Sequence, residues 1–238
     1  PDGRMMSFPF NSSTTVMYVN LTKFKKAGLP TETEKLPKTW AEVEAAAKAL
    51  KAAGEACPMT TSWVGWTQLE SFSTWHNVEN GFGGPKARLA VNTPLHQKHI
   101  ENLARMAKEG TFVYKGRGNL ADATFYSGEC AINMGSSATL ANIRRNADFE
   151  FMTLPMPYYE GVENAPQNTA LGGASLWAMA GKSEAENKCV ADFFNYLSDP
   201  QVQADNHMRT GYLPVTLKAF EIAKASGYYE KNRVRTSP

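Results

Sequence analysis

Two tryptophans three residues apart, Trp63 and Trp66, sit in the stretch Thr61-Ser62-Trp63-Val64-Gly65-Trp66, with Pro58 breaking the chain upstream. On a loop, two indoles can offer flat apolar faces to the C–H face of a polyol or sugar, or to a cation. On a short helix, the same spacing puts both on one face and reads as core. A second candidate is the junction Gly135-Ser136-Ser137, which follows an apolar strand run at 130–134 and precedes a helical stretch at 138–146. Serine hydroxyls and free N–H groups at a helix start bind anions; the plainer reading of Ser136 is a helix N-cap. Three further positions offer polar contacts. Asn11-Ser12-Ser13-Thr14-Thr15 is a polar island beside a buried-strand run, and is either a surface bend or the lining of a polar site. Gly172-Gly173 opens a strand reaching Met179; glycine there admits a ligand close to the backbone, or marks a bulge. The turn Thr210-Gly211-Tyr212-Leu213-Pro214-Val215 exposes Tyr212.

Groups that would transform a ligand are harder to find. No Gly-x-Ser-x-Gly elbow and no phosphate-binding P-loop is present. The four histidines, His76, His96, His99 and His207, follow no zinc spacing, and His96 and His99 read as solvated residues near a helix start. Glu70 is the carboxylate nearest the tryptophans in sequence, and it lacks the partner that glycoside hydrolysis requires. These residues hold a small polar molecule rather than react with it, so no catalytic residue, cofactor or metal is expected.

The elements that position these residues alternate between strand and helix. Residues 7–10 are extended because Pro9 restricts its predecessor, and Val16-Met17-Tyr18-Val19 is a buried-strand run. Asn20 can cap a helix over 21–27 that Gly28 closes. Thr39-Trp40-Ala41-Glu42 has capping-box form, and Trp40, Val43, Ala47 and Leu50 follow at helical spacing, placing Trp40 in the core. Residues 57–61 form a strand and 67–77 a helix with Leu69, Phe72 and Trp75 on one face. Asn80-Gly81-Phe82-Gly83-Gly84-Pro85 is a long turn, after which Pro94 starts a helix that Gly110 stops. Helices follow at 120–127, 182–197, from Asp199-Pro200, and 217–226; in the second, Val190, Phe193, Phe194 and Leu197 are expected to face inward. The pattern predicts an α/β fold.

Composition narrows the partners. A formal charge of +2 on 238 residues, with scattered basic side chains, leaves no nucleic-acid or membrane-surface footprint. No run of 18 or more apolar residues exists to span a bilayer. The opening at Pro1 has no Met and no signal-like core, and reads as an internal piece of something longer. Cys57, Cys130 and Cys189 fit either one disulfide plus a thiol or three thiols.

Taken together and in order, SFPFNSSTTVMYVN, TSWVGWTQLESFS, GECAINMGSSATLANIR, APQNTALGGASLWAM and TGYLPVT resemble the glycerol-3-phosphate-binding members of the extracellular solute-binding protein family of bacterial ABC importers. The resemblance covers nearly the whole chain. It implies two periplasmic-binding-protein-like α/β lobes (type II, a mixed sheet flanked by helices) joined by crossing segments, with the ligand held between them. This chain would be largely the C-terminal lobe: residues 1–11 a crossing segment, 12–172 second lobe, 173–216 a crossing strand and helices belonging to the first lobe, and 217–238 a return to the second. The resemblance further implies that Ser13 contacts the ligand, that Trp63 and Trp66 pack on its glycerol moiety, that Ser136 and the Gly173 backbone hold polar oxygens, and that Tyr212 donates its hydroxyl. The implied ligand is glycerol-3-phosphate or a glycerophosphodiester such as glycerophosphocholine, the implied partner an ABC permease, and the implied location the periplasm. An oligosaccharide is the alternative ligand, and a carbohydrate-active or phosphodiester-cleaving enzyme the alternative class. The family's facing lobe and a phosphate-binding arginine are not matched in this sequence, which implies a partial site that binds glycerol phosphate weakly or not at all. Cys57 and Cys130 resemble positions the family shares, in a compartment that permits a disulfide.

Overall fold

The computed structural model describes residues 6–78 and 88–232. The expected turn at Asn80–Pro85 lies outside the described residues. The described chain separates into a large unit, within 15–170, and a small unit made of 6–14 with 171–232.

The large unit is built on a four-stranded mixed sheet. Its strands are β2 (Thr15–Asn20), β3 (Cys57–Thr61), β4 (Cys130–Ser136) and β5 (Phe151–Leu154), in the order β3-β4-β2-β5; β1 (Phe8–Ser13) belongs to the small unit. β3 runs parallel to β4, while β2 is antiparallel to both β4 and β5. Strand side chains alternate between faces, and β2 shows why its sequence lacks polar alternation. Met17 and Val19 enter one core with Trp40, Val43, Leu50, Met59 and Met106; Tyr18 enters the other with Phe125, Leu140 and Ile143. Both faces are covered, so the strand reads as a continuous apolar run.

The covering helices obey their end signals. α1 (Leu21–Lys26) starts where Asn20 accepts from the Lys23 N–H at 2.9 Å. α2 (Trp40–Ala52) begins at a capping box in which Thr39 and Glu42 satisfy each other's backbone N–H groups. The stretch expected to be one helix at 67–77 is instead a π-helical turn, Trp66–Glu70, continued by α3 (Ser71–Trp75). α4 (Pro94–Lys108) carries Pro at its start, and α5 (Leu120–Tyr126) and α6 (Leu140–Asn146) complete the unit. A disulfide joins Cys57 to Cys130, which are register partners on β3 and β4; Cys189 is free and exposed.

In the small unit β1 pairs antiparallel with β6 (Gly172–Leu176). α7 (Glu184–Leu197), α8 (Pro200–Thr210), α9 (Leu217–Ala225) and α10 (Tyr228–Asn232) follow. The four apolar residues of α7 expected to face inward are covered only in part, with Phe194 stacked on Phe8 at 4.9 Å. None is fully buried: Val190, Phe194 and Leu197 are half-buried and Phe193 is exposed. Residues 217–232 group with α8 in the small unit. The cause is local packing: Ala219 and Ala223 are fully buried, Thr216 Oγ1 donates to Gln203 Oε1 at 2.7 Å, and Tyr229 donates to His207 Nε2 at 2.9 Å.

Candidate functional site

The six sequence-derived residues fall on the two units in threes. On the large unit, Trp63, Trp66 and Ser136 lie at the carboxyl ends of β3 and β4, which are parallel neighbours. In open α/β sheets, ligands bind outside the carboxyl ends of the strands. Ser62 N–H donates to Met134 O at 2.8 Å and carries the β3 ladder one residue further before the chain turns away. Trp63 then takes φ +53°, a left-handed conformation costly for a bulky side chain. Its N–H donates to Gly118 O at 2.7 Å, and its side chain remains 44% exposed. That exposure goes against a core role for Trp63. Trp66 is half-buried, and its indole N–H is used up on Ala170 O at 3.0 Å, so it offers a ring face and no donor. π-Helical turns such as the one Trp66 opens recur at functional sites.

Ser136 ends β4 and is 8% exposed. Its hydroxyl accepts from the Ala138 N–H at 3.2 Å, capping the short 3-10 turn Ser137–Thr139. The plainer sequence reading of Ser136 therefore describes its present hydrogen bond. Tyr18 donates its hydroxyl to the Ser136 carbonyl at 2.9 Å and holds the turn from the core side.

On the small unit, Ser13, Gly173 and Tyr212 are gathered by three adjacent extended segments. Ser13 pairs with Gly172, and Ser12 with Gly173, while Ser12 also bridges Leu213, whose N–H donates to Ser12 O at 2.6 Å. Ser13 is 5% exposed, so the polar island is strand rather than bend. Gly173 has φ +124°, and a Cβ there would overlap the Asn11 carbonyl oxygen. The close approach that requires glycine is thus to β1 itself. Tyr212 is half-buried; its carbonyl accepts from His207 Nδ1 at 2.6 Å and its N–H donates to Thr210 Oγ1 at 3.2 Å. Its backbone is fixed, and its hydroxyl lies outside every hydrogen bond among the described residues.

Beneath the tryptophan segment lies a buried cluster, two of whose members, His96 and His99, sequence reading placed in solvent. His76, His96 and His99 are buried around Phe72, and His99 stacks on that ring at 4.1 Å. Gln68 Oε1 accepts from His99 Nε2 at 3.1 Å, since the Gln68 amide nitrogen is donated to Thr61 Oγ1; His99 Nδ1 then accepts from Tyr159. Burial, reinforced by His76 and His96, drives the His99 pKa down to about 3, and burial lowers those of His76 and His96. The helical stripe of α4 could not show this, because its burying partners lie on α3 and the 156–159 segment. Among the described residues, no three His, Cys, Asp or Glu side chains converge as metal ligands, and no helix is long and apolar enough to cross a membrane.

Asp122 also escaped sequence reading. In the first turn of α5 it looks like an ordinary dipole-complementing acid, yet it is 8% exposed. Its carboxylate accepts from Ser62 Oγ at 2.5 Å, Asn133 Nδ2 at 3.1 Å and Thr139 Oγ1 at 2.9 Å. No local spacing announces contacts with residues 60 positions away.

Comparison with known proteins gives a consistent result. The family model described as bacterial extracellular solute-binding protein matches residues 1–232. The chain is 48% identical over 235 residues to the sn-glycerol-3-phosphate-binding periplasmic protein UgpB of Yersinia pestis bv. Antiqua (strain Antiqua), covering 97% of this chain and 53% of that protein. It is 48% identical over 244 residues to the UgpB of Rhizobium meliloti (strain 1021), covering 100% of this chain and 56% of the relative. The chain thus spans about half the length of the curated relatives it matches. Among solved structures, UgpB from Mycobacterium tuberculosis in complex with glycerophosphocholine superposes with a TM-score of 0.78 at 24% identity, over 98% of this chain and 57% of that one. Maltose-bound MalE3 of T. maritima gives 0.77 at 16% identity, over 98% and 61%. Both share the fold.

Proposed function

Because this chain belongs to the bacterial extracellular solute-binding protein family, we propose that it is part of the capture component of an ABC importer. Its ligand is sn-glycerol-3-phosphate or a glycerophosphodiester such as glycerophosphocholine, held in the periplasm for delivery to the membrane permease. Its similar proteins are solute-binding proteins rather than enzymes, and in this reading no residue is catalytic.

The observation that carries the proposal is the 48% identity to a glycerol-3-phosphate-binding relative along 97% of the chain. The chemistry of the large unit supports it. Trp63 and Trp66 would form the apolar wall for a three-carbon backbone, and the Ser136-Ser137 turn would supply hydroxyl and N–H donors for a phosphate. On the small unit, Ser13, the Gly173 backbone and the Tyr212 hydroxyl would contribute further polar contacts. Phosphate contact at Ser136 requires its hydroxyl to leave Ala138 or to share its lone pairs, since a hydroxyl accepts as well as donates.

Titration of the ¹⁵N-labelled chain with sn-glycerol-3-phosphate, glycerophosphocholine and maltose tests the reading. The Trp63 and Trp66 indole signals should move with the glycerol phosphates and not with maltose. Affinity should be lower than in a full-length relative measured alongside, because this chain spans half the relatives' length. Replacing Trp63 with Ala should abolish the response while leaving the fold intact. A response to maltose alone selects the oligosaccharide reading, and release of glycerol-3-phosphate from glycerophosphocholine would select an enzyme.

A further inference from the structure

The carboxyl-end edge of β3 and β4 has two parts, the tryptophan loop after β3 and the serine turn after β4, and one buried carboxylate reaches both. Asp122 Oδ1 takes the Ser62 hydroxyl, one residue before Trp63. Asp122 Oδ2 takes the Thr139 hydroxyl, in the 3-10 turn that Ser136 caps. Asn133, on β4 between the two, donates to Oδ1 as well. Ser62, Asn133 and Thr139 are all buried. Each donor ends on the same charged acceptor, and hydrogen bonds to a charged group are the stronger kind. Gly135 leaves room for it: a Cβ there would come within 3.2 Å of Asp122 Oδ1, tighter than most side-chain packing, and would meet the Ser62 Cβ at an ordinary 3.5 Å. Gly135 has no positive φ, so what a side chain there would disturb is the space beside Asp122 rather than the backbone conformation.

This arrangement acts on the most strained residue of the edge. Trp63 sits at φ +53° with nearly half its side chain in solvent, so burial of its own ring does little to hold it there. Strain of that kind persists only where surrounding contacts over-determine it. The backbone is held by Trp63 N–H donating to Gly118 O, Ser62 N–H donating to Met134 O, and Thr67 donating its N–H to Trp63 O and its hydroxyl to Ser62 O; the Ser62–Asp122 bond is the contact that links this loop to the serine turn.

We propose that Asp122 is a positioning residue for ligand recognition: its carboxylate fixes Ser62 and Thr139, and through them sets the Trp63 loop and the Ser136-Ser137 turn in one register. The ligand-recognition half of this statement rests on the function proposed above; the positioning half does not.

The test uses Asp122→Ala, Asp122→Asn, Ser62→Ala and Gly135→Ala in the ¹⁵N-labelled chain, reading the indole signals of Trp63 and Trp40 and the thermal midpoint. Asp122→Ala and Ser62→Ala should displace or broaden the Trp63 signal while that of Trp40, buried in the other core, stays in place. Gly135→Ala should displace Trp63 in the same way. Asp122→Asn should restore the wild-type signal, because an amide oxygen can accept from Ser62 and Asn133 while its NH₂ donates to the Thr139 hydroxyl. An unmoved Trp63 signal in Ser62→Ala, or equal movement of Trp63 and Trp40 in all variants, overturns the proposal. Ser62→Ala removes one oxygen and keeps the test open should Asp122→Ala fail to fold. Titration with sn-glycerol-3-phosphate then separates the two readings. An affinity loss of about tenfold or more in Ser62→Ala, a factor equal to about 1.4 kcal/mol, supports the recognition role. Displaced Trp63 with undiminished affinity leaves Asp122 positioning the loop and removes Trp63 from the ligand site.

Discussion

Breaking the Cys57–Cys130 bond is the perturbation whose size the structure fixes best. The two residues are 73 positions apart in sequence and are register partners on adjacent strands. The bond therefore closes a loop that includes the tryptophan segment, α4 and α5. Chain-entropy loss on closing a loop of that length destabilises the unfolded state by about 4.4 kcal/mol at 25 °C. In the native state both sulfurs are buried, and the β3–β4 ladder already holds the strands, so little structure should change on reduction. Urea unfolding with and without reductant measures the effect, in a Cys189→Ser background that prevents exchange with the exposed third thiol. With a urea m-value of about 2 kcal/mol/M, the midpoint should fall by about 2 M. The slope should rise, because an uncrosslinked chain exposes more surface when unfolded. Cys57→Ala with Cys130→Ala should lose more than reduction does, because removing the sulfurs also leaves a small cavity. A reduced protein whose midpoint and slope match the oxidised one would refute the reasoning, showing that the unfolded ensemble already keeps these strands close.

Acid should weaken the large unit through His99. Its folded-state pKa of about 3 lies below the ordinary histidine value, so the unfolded chain binds more protons between the two; stability is present above pH 6.5 and is lost as pH falls toward 3, by about 1.4 kcal/mol per unit in that window. His99→Gln should flatten the profile measured by urea midpoints at pH 7, 6 and 5. Gly173→Ala should destabilise the β1–β6 pairing by about 1–3 kcal/mol, since it adds backbone strain at φ +124° and overlaps Asn11 O; hydrogen exchange at residues 8–13 should accelerate, and unchanged exchange would refute the overlap. Amide exchange in α7 should be faster than in β4, because α7 buries no side chain whereas all seven β4 residues are buried; equal protection would show that α7 is covered in solution.

The legible parts of the fold were those written into consecutive residues. The capping box at Thr39, the Asn20 cap and the Pro94 start all name their own element, and the apolar run of β2 carries the sign of a strand covered on both sides. Candidate ligand residues were legible by type, since aromatic faces, hydroxyls and paired glycines are unusual things to leave at strand ends. What sequence could not separate was the reason for each. Gly173 reads as an opening for a ligand, but its missing Cβ is demanded by β1. Ser136 reads as an anion donor, but its hydroxyl is a cap. His96 and His99 read as solvated from their own helix, and burial reaches them from elements that carry no periodic trace of the contact. α7 shows the other limit: its stripe of Val190, Phe193, Phe194 and Leu197 is a sound amphipathic signal that this chain satisfies only in part, leaving Phe193 exposed and the other three half-buried. Periodicity reports that a face seeks a partner, and only tertiary structure reports whether the partner is present. The same limit hid Asp122, whose spacing is that of a helix-dipole acid and whose three hydrogen bonds connect one edge of the sheet. A residue that positions others leaves no signature in its own neighbourhood, because its chemistry is spent on residues that folding alone brings near.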